Sequence, residues 1–589
     1  MPDRLVRVGA GDNGAEGAAA RCRAVVTISR RGLAGAPPTA YRQAMSSRQA
    51  AILVCVAGLS GCIGELTGWI PGEANQGGGA GVTGGGGGVS GQGGGEAPVV
   101  CDVPSPLPGA TVPMRRLNRE HVLFTVRDVL GVSEPLAVSD EHVFTYRSNI
   151  SATVDDNGAQ AYLDFAERVS TSPELSLTGC TASACLSWLL DEVGLRLFRR
   201  PLEAEARARY TALYQAGVAQ AGAGDAGARE GARWVLQAFL QSPSFLYVDE
   251  PLVDGRLDGY GVATRLALSL WSSNPDVALL EAAAAGELDT ADGIRQRVHL
   301  MLNDARSERG FTAFVSQWLE LERMRRPDAR PDVVALGEPL IRELEQEPVL
   351  LVRRAVLEGA SLEQLLTTSQ TVTLPLLRAH YGADVLSVEG ATTSLDPERR
   401  AGVLTLAGVM TAMSNAGITS PSVRGHALLT NVMCTPPPPP PDGVSLTLPP
   451  PQPGATTRQR MEAHFSDPSC GGCHRVMDGV GFSFEHIDPV GRWRLLDNGQ
   501  PIDDAVEIPF GQERIPVHGP RALATLFSTR PEVHSCFARQ WTRYALGALE
   551  SAEVKCFPVE LGRQVNQPGG LEALISELAA SDYFRKGAP

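Results

Sequence analysis

The chain contains 589 residues and carries a formal net charge of −14 at pH 7. This length exceeds what one hydrophobic core normally organises, so we expect several domains of about 100–200 residues each. Binding to nucleic acid depends on clustered Lys and Arg, and the acidic balance therefore argues against a nucleic-acid partner.

The first features in chain order are typical of an export signal. We expect residues 1–44 to lie outside the folded protein, because they show no periodic pattern. Residues 45–61 combine a short basic start with an apolar run, Ala50 to Leu59, that is too short to span a bilayer but suits a signal peptide. The string Leu-Ser-Gly-Cys that ends in Cys62 resembles a bacterial lipobox. That resemblance implies lipidation of the Cys62 sulfur and cleavage before it; a chance cysteine beside a short buried segment is the alternative.

Residues 62–99 are predicted to form a flexible tether. They include a glycine-rich stretch, 76–95, that cannot form a core and should span roughly 25 Å on average. We therefore predict a lipid-anchored protein of the cell envelope. The lipid on Cys62 would bind it to the membrane, and the tether would connect this lipid to the folded part of the chain. Ile63, in place of Asp, favours the outer membrane by analogy with enteric bacteria, in a periplasmic or surface-facing position.

From residue 100 onward the hydrophobic pattern predicts a mainly α, multi-domain protein. We expect helical domains at 100–176, 177–250 and 251–395. Within them, apolar residues recur at helical spacing in 115–130, 185–198, 231–246, 261–271, 294–302 and 311–321.

The region 396–511 is predicted to be a proline-rich domain that also contains a cysteine motif. Six consecutive prolines, 436–441, favour a rigid extended spacer, with a ligand for a proline-recognition domain as the alternative. Short β-prone pieces follow Phe482, so we expect a small mixed segment there. Residues 512–589 are predicted to be a C-terminal helical domain, with helices at 532–549 and 571–584.

The cysteines are consistent with an oxidising compartment. Of the eleven in the chain, eight remain after loss of the leader and lipidation of Cys62. If two of these bind a cofactor, the remaining even number is compatible with disulfides. Closeness in the chain favours pairing Cys180 with Cys185 and Cys536 with Cys556, although the sequence leaves the connectivity open.

Cys470-Gly471-Gly472-Cys473-His474 has the spacing of a c-type haem attachment site. Two thiols separated by two residues reach the two vinyl groups of one haem, and the next histidine is then placed to ligate the iron. We therefore predict covalent haem c on Cys470 and Cys473, with His474 as iron ligand. Three alternatives remain open: a thioredoxin-like pair, a zinc site and a structural disulfide.

The second axial ligand is not evident from the sequence, because no methionine follows Met477. The predicted candidates are His486, His518, His534 and Met413, beside Met410, Met461 and His464. A histidine or an open position would tend to give a lower potential than methionine. Arg492, together with Arg494, could neutralise haem propionates by bidentate pairing, with surface ion pairs as the alternative.

Several strings occur together in a characteristic order. They are found at 116–119, 125–131, 198–202, 242–247, 265–271, 274–276, 317–319, 419–425, 470–494 and 536–547. In this order they resemble the planctomycete-type cytochrome c-associated proteins, large exported proteins of planctomycetes and myxobacteria built from consecutive domains of unknown function. The resemblance extends from about residue 112 to residue 586. It implies the order of domains and export but no particular reaction.

The chain departs from this family in three respects. His121-Val122-Leu123-Phe124 stands where the family commonly has Glu-Tyr-x-Asn, and Asp478-Gly479 stands where it has Asp-Pro. The separate cytochrome module that many members carry near the N-terminus has no counterpart, which leaves a single Cys-x-x-Cys-His motif.

The sequence thus predicts a membrane-tethered, exported, monohaem c-type protein that takes part in electron transfer or associates with a redox partner protein. The alternative is a cell-surface binding or structural lipoprotein, for example for polysaccharide, in which Cys470 and Cys473 form a disulfide or hold a structural haem. No Gly-x-Ser-x-Gly or His-Glu-x-x-His string supports a hydrolase.

Overall fold

The computed structural model describes residues 114–151, 153–177, 180–325, 330–438, 454–465, 468–550 and 556–586. The predicted segments 1–44, 45–61 and 62–99, the lipidation site Cys62 and most of the proline-rich stretch lie outside these residues. Within the described part of the chain, no helix is both long and apolar enough to cross a membrane.

Helices dominate the fold, which confirms the predicted class. The helices before residue 320 are α1 Arg119–Leu130, α2 Asp156–Thr171, α3 Cys185–Trp188, α4 Gly194–Phe198, α5 Ala204–Ala221, α6 Asp225–Gln241, α7 Pro243–Leu246, α8 Gly259–Trp271, α9 Val277–Ala284, α10 Ala291–Asn303 and α11 Ser307–Trp318. Those that follow are α12 Pro331–Val334, α13 Glu338–Leu357, α14 Leu362–Thr367, α15 Pro375–Tyr381, α16 Ala407–Ala412, α17 Pro421–Asn431, α18 Thr457–Phe465, α19 Pro468–Phe482, α20 Gly519–Ser528, α21 Pro531–Leu546, α22 Cys556–Gly562, α23 Gly570–Ala580 and α24 Asp582–Arg585.

The strands are short and antiparallel. They are β1 Arg115–Arg116, β2 His142–Val143, β3 Tyr146–Arg147, β4 Tyr247–Val248, β5 Leu252–Val253, β6 Arg256–Leu257, β7 Gln370–Val372, β8 Val385–Glu389, β9 Thr392–Leu395, β10 Leu496–Asp497, β11 Gln500–Pro501, β12 Ala505–Phe510 and β13 Glu513–His518. One sheet has three strands in the order β7-β9-β8, and the others are pairs, among them β10 with β11 and β12 with β13. β10, β11 and β12 lie in the small mixed segment expected after the cysteine motif, whereas β13 lies beyond residue 511, in the part predicted to be helical.

Two hydrophobic cores organise the described residues. The first core contains buried side chains from Leu117 to Val248, together with Leu268. The second core contains buried side chains from Leu257 to Phe584, together with Tyr146. Side chains on both sides of the predicted boundary at residues 176 and 177 share the first core, and those on both sides of 395/396 and 511/512 share the second. The predicted segments are therefore packed against one another.

Helix α1 begins later than the predicted helix over 115–130. Asn118 takes an extended conformation, and its side chain accepts a hydrogen bond from the backbone N–H of His121, which caps the helix. The two arginines before it instead form β1, paired with Tyr247 and Val248. Helical periodicity could not reveal this partner, which lies more than a hundred residues away.

The disulfides confirm one predicted pair and contradict the other. Cys180 is bonded to Cys185, as expected from their closeness. The predicted pairing of Cys536 with Cys556 is wrong, because Cys536 on α21 is bonded to Cys434, 102 residues earlier. Cys434 follows α17, which packs against α21, so the fold brings these two sulfurs together; Cys556 is itself in a disulfide.

Candidate functional site

The Cys-x-x-Cys-His motif lies within α19. Cys470, Cys473 and His474 occupy positions i, i+3 and i+4, and residues with this spacing share one face of an α-helix. The side chains of the two cysteines lie outside the described part of the structure. The helix thus presents both attachment positions and the predicted iron ligand on the same side.

His474 is paired with an acid one turn further along the helix. Its Nδ1–H donates to the Asp478 carboxylate, with distances of 3.1 and 3.3 Å to the two oxygens. The Asp478 side chain is fully buried, whereas that of His474 is 22% exposed. The hydrogen bond that His474 donates to Asp478, opposed by burial, raises the pKa of His474. Because a carboxylate can only accept, this contact assigns the proton to Nδ1, so that Nε2 carries the lone pair with which a neutral imidazole ligates a metal.

Helix α19 is fixed against α17 by close backbone contact. A Cβ on Gly425 of α17 would overlap the carbonyl oxygen of Met477, and one on Gly481 would overlap the backbone of Pro421. Glycine at both positions lets the helix backbones approach within contact distance. The position of the motif helix is therefore set by its packing.

The loop after α19 is held by buried arginines; we call residues 484–491 the clamped loop. Arg424, fully buried on α17, donates to the carbonyls of Phe484 (2.7 Å) and Ile487 (2.9 Å). Arg330 donates to the Pro489 carbonyl at 2.9 Å, Arg400 to the Gly491 carbonyl at 2.9 Å, and His380 Nε2 to the Val490 carbonyl at 2.6 Å. These donors satisfy backbone carbonyls that would otherwise be buried without partners.

Arg494 belongs to the same structural network. Its guanidinium donates to the Glu485 carbonyl and carboxylate, each at 2.8 Å, and to Asp497 Oδ1 at 2.9 Å. Glu485 is buried, and burial raises its pKa. Arg494 therefore stabilises the segment after the motif. Arg492, the predicted propionate partner, is exposed, and its backbone N–H donates to Asp488 Oδ1 at 2.8 Å.

The predicted distal ligands occupy different environments. His486 stacks on Trp493 with ring centroids 4.8 Å apart, and its Nδ1–H donates to the Arg494 carbonyl at 2.8 Å. His518 is exposed at the end of β13. His534 Nε2 lies 2.8 Å from the Ser528 carbonyl, and Met413 is fully buried in the second core. The distal ligand stays a prediction.

Beyond this motif, the arrangement of potential metal ligands in the described residues shows no second site. Within the described ranges, no group of three or more His, Cys, Asp or Glu side chains could hold a metal ion.

Sequence reasoning missed two contributions to this site. The role of Asp478 could have been found, because it lies four residues after His474 on a predicted helical stretch and so on the same face. Arg330 and Arg400 gave no comparable signal, since they reach the clamped loop from 159 and 91 residues away.

Three family models match consecutive parts of the chain, each described as a protein of unknown function. They are DUF1595 at residues 185–250, DUF1592 at 257–383 and DUF1588 at 400–497. The chain therefore contains three consecutive domains of the families found in planctomycete-type cytochrome c-associated proteins, as the sequence predicts. The third match includes the motif Cys470 to His474. A search of curated proteins and a search of solved structures gave no match.

Proposed function

We propose that this chain is an exported, monohaem c-type protein, tethered to a membrane through a lipid on Cys62, that transfers electrons or associates with a redox partner protein. Cys470 and Cys473 would hold the haem through thioethers, and His474 would ligate the iron. When bound, haem supplies one-electron redox chemistry.

The observation that carries this proposal is the hydrogen bond between His474 and Asp478. A metal-ligating histidine usually donates its second ring N–H to a carboxylate, a carbonyl or water, which fixes the tautomer and raises the basicity of the ligating nitrogen. The Nδ1–H of His474 makes this contact with the buried Asp478 side chain. The donor set therefore fits a haem iron ligated through Nε2.

The surroundings of α19 support the same function. Buried arginines hold the clamped loop that follows the helix, and α17 packs against the helix backbone through Gly425 and Gly481. A rigid support lowers the reorganisation that a change of charge would require. The His474 side chain is partly exposed, so this face of the helix lies near the surface. A redox partner could therefore approach the proposed haem.

The proposal is tested on the full protein, exported by a host with haem-attachment machinery. A pyridine haemochrome spectrum and an intact mass report the type and number of haems. We expect a c-type spectrum and one added haem, together with a lipid on Cys62. The Cys470→Ala/Cys473→Ala double variant should lose the haem but keep the lipid.

A different result would favour the rival function. An unmodified polypeptide mass at Cys470 and Cys473, without a Soret band, would rule out the haem protein. It would leave a cell-surface binding or structural lipoprotein with a disulfide in this motif, and binding to polysaccharide would then be measured. A haem that appears equally in the double variant would also contradict covalent attachment at these cysteines.

A further inference from the structure

A small cleft lies where the first core meets the second, apart from the motif helix. On the side of the first core it is lined by β1 and the beginning of α1, with Arg115, Arg116, Asn118 and His121. Arg147 also lines it, and the opposite wall comes from α11 and α21. With its open mouth the cleft has about 490 Å³ of empty space, and its enclosed part has room for only a few atoms.

The cleft holds more positive than negative charge. Arg147 is neutralised by Glu120, at 2.9 Å, and by Glu322. Glu250 is the carboxylate nearest to Arg115, but at 3.9 Å, and it makes its short contacts with Arg265. One carboxylate is therefore shared by two buried guanidinium groups.

Two further arginines add to this excess. Arg116 and Arg199 are 6% and 5% exposed, and within the described residues neither has a carboxylate within 4 Å. Arg199 donates instead to backbone carbonyls, including those of Phe245 and Tyr247. The Nε of Arg116, which lines the cleft, is buried without a hydrogen-bond partner. A buried cation without an anion is costly, so the cleft favours an added negative charge.

The pKa of His121 is affected by the same positive charges. Its Nε2 accepts from the Asn118 side-chain amide at 3.3 Å. Burial, together with the guanidinium groups of Arg115, Arg147 and Arg199, lowers the pKa of His121 to about 3. The imidazole is therefore neutral at physiological pH, and a bound anion would offset the part of this pKa shift that the three guanidinium groups cause.

We propose that this cleft binds a small oxyanion, either a carboxylate or a phosphate or sulfate group. Arg115 would pair with its charge, and the Asn118 amide and the imidazole of His121 would provide polar contacts at the beginning of α1. The oxygens of such a group match the guanidinium geometry, and the cleft size limits the ligand to a small anion or to the charged end of a larger one.

The test uses the full protein and three probes: inorganic phosphate, sulfate and acetate. Calorimetric titration at an ionic strength held constant with NaCl should show saturable binding of at least one. Arg147→Gln, which exposes the cleft to Glu120 and Glu322, and His121→Gln should each weaken it about tenfold. Arg209→Gln removes an exposed arginine paired with Glu205 and should bind like the natural protein.

Binding of acetate alone would identify a carboxylate ligand, and binding of phosphate or sulfate an inorganic oxyanion.

Two results would overturn the proposal. One is the absence of saturable binding of all three anions. The other is equal binding by the natural protein, Arg147→Gln and His121→Gln, because that is expected of general salt effects on the surface. The haem content of each protein is measured in parallel. A loss of anion binding in the cleft is thereby distinguished from a loss of haem at the proposed haem site.

Discussion

At the scale of single residues, Asp478, which accepts a hydrogen bond from His474, should influence the midpoint potential of the proposed haem. Asp478→Asn keeps an acceptor oxygen for the Nδ1–H but removes the charge. Charged acceptors make hydrogen bonds that are stronger by about 1 kcal/mol or more. We therefore expect the midpoint potential to rise by several tens of millivolts, since ~59 mV corresponds to about 1.4 kcal/mol for a one-electron couple.

The comparison requires a variant that changes an acid elsewhere. Asp164 is exposed on α2 and accepts a hydrogen bond from the Gln160 side chain, so Asp164→Asn should leave the potential unchanged. Spectroelectrochemical titration of the haem-loaded proteins measures both. If Asp478→Asn kept the natural potential, the carboxylate would have no part in tuning the ligand.

Glu347 is the residue whose protonation should affect stability. It is buried on α13 and accepts hydrogen bonds from the Thr371 hydroxyl, at 2.8 Å, and from the Tyr381 hydroxyl, at 2.9 Å. Burial raises its pKa from 4.5 to about 7. Between these two pH values the native protein keeps a proton that the unfolded chain has lost.

The stability contributed by this proton is present below about pH 4.5 and is lost as the pH rises through about 7. We expect the loss to be on the order of 1–3 kcal/mol, and Glu347→Gln to remove it. Glu358→Gln, at the exposed end of the same helix, should keep the natural pH profile. Thermal unfolding midpoints from pH 4 to 8 measure the effect. Parallel profiles for Glu347→Gln and the natural protein would contradict it.

At the scale of elements, the crossing of α17 and α19 depends on glycine. Gly425→Ala would place a methyl group against the Met477 carbonyl, where neither backbone can move without disturbing the motif helix. Overpacking of this kind costs about 1–3 kcal/mol. We therefore expect a lower unfolding midpoint and, in the haem-loaded protein, a lower yield of attached haem.

A matched substitution exists on α19 itself. A Cβ on Gly479 would meet only the Glu507 carbonyl, at 3.9 Å. Gly479→Ala should therefore be neutral or stabilising by about 0.5–1 kcal/mol through helix propensity. Scanning calorimetry of both variants separates the two effects. Equal midpoints would show that the helix crossing tolerates a side chain at Gly425.

The predicted elements succeeded where the signal was local. The helical spacing in 261–271 predicted α8, and the β-prone pieces after Phe482 predicted β10, β11 and β12. Strand β13 was not predicted, because it lies in the part that was expected to be helical. The start of α1 was misplaced because the partner of β1 comes from the other end of the first core. Periodicity records which residues face a core, but it does not record which strand pairs with which.

At the scale of the whole molecule, the disulfide between Cys434 and Cys536 closes a loop of 102 residues, whereas that between Cys180 and Cys185 closes one of 5. In the chain-entropy account, the longer loop restrains the unfolded chain more. We therefore expect Cys434→Ala/Cys536→Ala to lose about 2–3 kcal/mol more stability than Cys180→Ala/Cys185→Ala. Denaturant unfolding of the two double variants makes the comparison. A larger loss in the second would show that the short loop matters more.

The sequence by itself determined the mainly helical class, the consecutive domains of unknown function and the placing of Cys470, Cys473 and His474 on one helix face. Each of these depends on residues that are neighbours along the chain, where hydrophobic period and spacing act directly. The same local logic would have found Asp478, four residues beyond His474.

Only the tertiary structure decided the partner of Cys536, the arginines that hold the clamped loop, and the cationic cleft between the cores. These features join residues that are many tens to several hundred positions apart, as when Arg115 donates to the Leu546 carbonyl. Their energies come from burial and from pairing of charges and carbonyls. Such terms act only after the two cores have packed, so no local pattern in the chain records them.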